Sequence, residues 1–231
     1  MNIALLPDRA VLEISGEDRL AFLQGLVSND VTKARADQAI WAALLTPQGK
    51  WLADFFLIAT GDVLLLDVEA GQLAMLAQRL GRFRLRAKVA LRDTSADWRV
   101  YAAWGEGAVP AGLAARDPRL PEAGWRVLAP AGLPTNASAE DYAAHRLALG
   151  LPDGSKDMEA EKSVLLEGGF DELNGISWTK GCYMGQELTA RTRYRGLLKR
   201  RLVPVAIEGP APERGTPIMT PDGAEAGEMR S

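Results

Sequence analysis

The chain carries one cysteine and one histidine in 231 residues. A lone cysteine forms no intramolecular disulfide, and Cys182 with His145 cannot cage zinc or an iron–sulfur cluster unaided. No resident metal site is expected. The chain also lacks the run of roughly 18 apolar residues that a spanning helix needs, so no membrane partner is expected. Its opening stretch, "MNIALLPDRAVLEISG", meets charge too soon for a secretory signal. An excess of positive charge is missing as well. Lys and Arg number 27 against 30 Asp and Glu, which argues against a direct nucleic-acid partner. Together these absences predict a reduced, cytoplasmic protein.

What is present is ordinary for a globular chain: 47% hydrophobic and 25% charged residues. "AVLEI" reads as a short strand, followed by a helix carrying Leu20, Leu23, Leu26 and Val27 on one face and stopping near Ser28–Asp30. "AIWAALLTPQGKWLADFFLIATGDVLLLDVEA" reads as a three-stranded meander with turns at Pro47–Gly49 and Thr60–Asp62. "GQLAMLAQRLGRF" is a helix by period. "RLRAKVALRD", "WRVYAAWG" and "WRVLAP" read as strands, and 105–124 as a loop. "SAEDYAAHRLALG" is a capped helix ending at Gly150. Residues 150–180 show no period, and a further helix begins near Gly185. Pro and Gly crowd 204–217, which places a boundary near 197.

Cys182 lies in "KGCYMGQE", between two glycines. It reads either as a small packing residue or as a reactive thiol, ionised by Lys180, a helix N-terminus just downstream and the following Arg191 and Arg193. Two basic runs, 79–92 and 191–201, read as solvated faces or as an anion site. Asp54 stands inside the apolar strand "GKWLADFFL". Alternation alone makes it the outward member of a half-buried strand. Asn29–Asp30 reads as a helix stop and turn.

The octet "KGCYMGQE", continued by "LTARTRYRG", resembles the signature of the YgfZ/GcvT-like folate-binding family. That family includes bacterial YgfZ and mitochondrial factors for maturation of 4Fe–4S proteins. "FLQGLVSNDV", "LTPQGKWLADFFL", "FRLRAKV" and "HRLALGLP" resemble further family segments, so the likeness spans most of residues 10–200. It implies an α+β fold like that of the glycine-cleavage T-protein: a folate-binding body over 1–197, and over 198–231 the start of a C-terminal β-barrel that is incomplete here.

The resemblance also implies a cofactor, tetrahydrofolate or its polyglutamate or 5-formyl form. Asp54 matches the T-protein acid that positions folate. Asn29, Asp30, Gln186 and Glu187 fall in family motifs and are candidate folate contacts. Arg84, Arg86, Lys88 and Arg191 are candidates for the glutamate tail. Cys182 and Lys180 are the candidate working residues. T-proteins carry a glutamate where this chain has Ala148, and lack the cysteine. The implied role is therefore an accessory factor in assembly or repair of iron–sulfur proteins, with indirect effects on tRNA modification. Its implied partners are client proteins or other assembly factors. The alternatives are a tetrahydrofolate-dependent aminomethyltransferase or methyltransferase, and an RNA-binding module built on the basic runs.

Overall fold

The computed structural model describes residues 1–130 and 132–231. Strands β1 (Asn2–Leu5) and β2 (Arg9–Ser15) lead into a short helix, α1 (Arg19–Gln24). The meander follows as β3 (Ile40–Leu45), β4 (Trp51–Thr60) and β5 (Val63–Glu69), then α2 (Leu73–Phe83) and β6 (Ala90–Asp93). A second set comprises β7 (Arg99–Trp104), β8 (Leu113–Arg116) and β9 (Trp125–Ala129). Helix α3 (Ala139–Ala148), an irregular stretch, α4 (Gln186–Tyr194), β10 (Pro217–Met219) and β11 (Glu225–Glu228) complete the chain.

Two antiparallel sheets carry the body. One has the order β3-β4-β5-β2-β6 and the other β1-β7-β9-β8. The five-stranded sheet is covered on both faces. One face packs on α1 and α2 through Leu23, Leu76, Leu80, Phe55 and Leu57. The other packs on the four-stranded sheet, α3 and the irregular stretch through Trp41, Trp51, Phe56, Leu128, Tyr142 and Phe170. Double coverage explains why Trp51 to Ile58 are buried without exception. A strand with no solvated face has no reason to alternate.

Several local expectations hold. Ser138 caps α3 with Asp141 in a reciprocal capping box. The meander turns fall where Pro47–Gly49 and Thr60–Asp62 place them. Others change. Helix α1 is six residues long, with Asp18 at its N-cap. Val27 lies beyond it and bridges to Leu44 in the sheet. In "RLRAKVALRD" only Ala90–Asp93 is strand, because Leu85 takes φ +41° and breaks extension. The stretch 105–124, expected as a loop, contains β8.

Candidate functional site

The glycines around Cys182 have a packing reason. Gly185, the N-cap of α4, has φ +80°. A Cβ there would sit 2.5 Å from the Thr46 carbonyl oxygen and 3.0 Å from Gly49 Cα. Gly49, in the β3–β4 turn, has φ +85°, and its Cβ would meet Leu188 at 2.5 Å and the Gly185 carbonyl at 2.6 Å. The meander turn and the start of α4 therefore touch backbone to backbone, which only glycine permits on both sides.

The other flank of the loop is held by Lys180. Its Nζ donates to the Gln24 carbonyl at 2.5 Å, in the last turn of α1, and to the Val27 carbonyl at 2.6 Å, just beyond it. Met184 N–H donates to the Gly25 carbonyl at 3.1 Å. Tyr183 is buried, and its N–H donates to Gln186 Oε1 at 3.1 Å. Cys182 itself is exposed. The result is a thiol presented to solvent from a loop pinned at both ends. The ammonium is held on the Gln24 and Val27 carbonyls, where the end of a helix leaves acceptors unpaired.

Burial pulls Lys180 down to about 8, against the opposing attraction of Asp30. An unfolded lysine keeps its proton to about 10.4. Between these values the unfolded chain binds more protons than the folded one, so this group makes stability rise with pH. Lys180→Met should flatten that rise. Urea unfolding of both proteins from pH ~7 to ~10 measures it, and parallel curves would contradict it.

Asn29 and Asp30 are structural pins. Asn29 Nδ2 donates to the Trp41 carbonyl at 2.8 Å and the Asn174 carbonyl at 2.7 Å. Asp30 caps the 3₁₀ turn at Val31–Lys33, accepting from the Thr32 N–H and hydroxyl and from Gln24. Glu187 pairs with Arg191 along α4.

Asp54 is buried, against the alternation reading, because both faces of its strand are covered. Its Oδ2 accepts from Trp41 Nε1 at 2.8 Å and its Oδ1 from Trp51 Nε1 at 3.2 Å. Burial raises its pKa, opposed by the Trp41 hydrogen bond and by Arg9 and Arg119. Asp54→Ala would strand two buried indole donors and should cost about 1–3 kcal/mol. A urea midpoint equal to wild type would show that the indoles do not depend on it.

Arg84, Arg86 and Lys88 are exposed and follow α2, on the helical side of the five-stranded sheet. Lys88 pairs with Glu17 at 2.7 Å. Asp54 faces the other side, beside Trp41 and Trp51. These residues therefore do not form one pocket with Asp54. Sequence reasoning missed the charged layer between the sheets. There Arg9 binds Asp67 at 2.6 Å and Arg119 binds Asp117 at 2.7 Å, with Arg119 and Arg126 stacked on Phe56. A signal was present in the acid of "VLLLDV" and the arginine of "WRVLAP", charges inside apolar strands.

Comparison with known proteins decides the family. The iron–sulfur cluster assembly factor IBA57 of Homo sapiens is 33% identical, over 98% of this chain and 73% of that protein. The chain belongs to the IBA57 family of iron–sulfur cluster assembly factors. The IBA57 homologue of Mycosarcoma maydis is 35% identical, over 89% of this chain and 57% of its own length. The CAF17 C-terminal beta-barrel domain family matches residues 199–231. The glycine cleavage system aminomethyltransferase T of Bartonella henselae shares the fold, with a TM-score of 0.66 at 13% identity over 100% of this chain and 73% of that one. The IBA57 relatives are named as mitochondrial proteins, which overturns the cytoplasmic expectation. Scarcity of cysteine reports a reducing compartment, and more than one compartment is reducing.

Proposed function

We propose that this chain supports assembly or repair of 4Fe–4S proteins by presenting Cys182 as a transient thiolate ligand for a cluster in transit. The observation carrying this is an exposed thiol on a loop fixed by Lys180 and by the Gly49–Gly185 contact. A thiolate binds iron, but one thiolate fills only one of a cluster's ligand positions. The remaining ligands come from a client protein, another assembly factor or a small thiol. Loss of tRNA thiolation follows indirectly wherever the modifying enzyme carries such a cluster.

Asp54 accepts one indole N–H on each carboxylate oxygen, and Phe170 stacks on Trp41 with centroids 3.8 Å apart. Each oxygen keeps a second acceptor site. The reading rests on Cys182, and no step is routed through folate. The test is restoration of a 4Fe–4S dehydratase in cells deprived of their own factor. Recovery of activity on expressing this chain is expected, and absence of recovery with soluble protein present overturns the reading.

A further inference from the structure

Arg126, on β9, is 3% exposed, yet its Nε and Nη1 find no hydrogen-bond partner among the described residues. Its Nε stands 3.5 Å from Asp67 Oδ2 without a hydrogen bond. The other Asp67 oxygen is already held by Arg9 at 2.6 Å. Arg146, on α3, is also 3% exposed, and its Nε likewise has no partner among the described residues. Both arginines line one cleft of about 320 Å³, between the β1–β2 turn, β9, α3 and the segment around Asp153. Buried charged donors are normally paired, since leaving one without an acceptor costs most of its hydration.

The lining carries Arg9, Arg126, Arg146 and Lys156 with Asp8, Glu140 and Asp153. Asp67 stands behind Arg9 and Arg126, and Asp157 accepts from Arg146 Nη1 at 3.1 Å. Asp8 and Asp153 are already taken by Lys156, at 3.1 Å and 2.7 Å. Burial alone would raise the Asp153 carboxyl, but Arg9, Lys156 and Arg146 hold it well below the usual range. It is therefore a fixed anion, and it does not satisfy the free Nε of Arg146, 3.7 Å away. Glu140 is exposed at the rim. None of these arginines belongs to the basic runs, and the cleft shares no lining residue with the Cys182 loop.

We propose that this cleft binds a small organic anion, whose carboxylate or phosphate oxygens accept from Arg126 and Arg146. Charge-assisted hydrogen bonds of this kind are the strong ones, and arginine's fork matches both groups. The proposal stands independently of any role for Cys182.

Two probes separate the sources of this chemistry: inorganic phosphate and succinate, each titrated at ionic strength matched with sodium chloride. Binding is read as a saturable rise in the thermal midpoint and by calorimetry. At least one probe is expected to bind, and the stronger one tells phosphate from carboxylate. Arg126→Gln should abolish binding. Lys156→Ala should weaken it, because a rim cation is lost, and Glu140→Gln should tighten it, because a rim anion is lost. If Arg126→Gln does not fold, the opposite shifts of the two rim variants decide alone. No saturable response to either probe overturns the proposal, as does affinity unchanged across the variants.

Discussion

Replacing Cys182 by serine is expected to abolish support of 4Fe–4S enzymes while leaving the fold intact. The side chain is exposed, and exposed substitutions usually change stability by about 0.5 kcal/mol or less. Serine is close in size, so the loop held by Lys180 and Gly185 has no reason to move. What changes is chemistry. A thiolate is a soft iron ligand, whereas a hydroxyl keeps its proton and is not. Dehydratase activity in factor-deprived cells should fall to the level of cells without the chain. The purified variant should unfold at the wild-type urea concentration. Wild-type activity from the serine variant would remove Cys182 from the mechanism and leave the body to account for function.

Gly185→Ala should be the most destabilising single-methyl change near the site, costing about 2–5 kcal/mol. A left-handed backbone costs an L-residue about 1–2 kcal/mol, and forcing a methyl into a filled space adds about 1–3 kcal/mol. The clash at Gly185 is with backbone, the Thr46 carbonyl and Gly49 Cα, and backbone cannot rotate away as a side chain can. The matched control is Gly181→Ala. Gly181 also has positive φ, at +97°, but a Cβ there meets nothing within 4 Å. It should therefore show the backbone cost alone, about 1–2 kcal/mol. Urea unfolding of both variants measures the difference. Equal losses would mean that the contact between the meander turn and α4 contributes nothing. Because that contact also fixes the loop carrying Cys182, Gly185→Ala should lower cluster support and Gly181→Ala should largely spare it.

Periodicity located α2, α3 and the meander because each buries one stripe or one run against a neighbour, and that demand is written locally in residue order. The α+β fold and the family motif were legible for the same reason. The octet at Lys180–Glu187 carries its glycines and cysteine in fixed spacing, and spacing is a property of sequence. Tertiary structure alone decided which groups those side chains meet. Asp54 looked outward while one face of its strand was assumed wet, and a second sheet covered that face. Lys180 reads as a neighbour of Cys182, and the fold also brings it onto the carbonyls of Gln24 and Val27, far away in the chain. Arg126 stood out as a charge inside an apolar strand, but only the closing of the cleft brought it beside Arg146. Burial, charge pairing and the direction of a side chain depend on residues distant in sequence, and no local pattern encodes those partners.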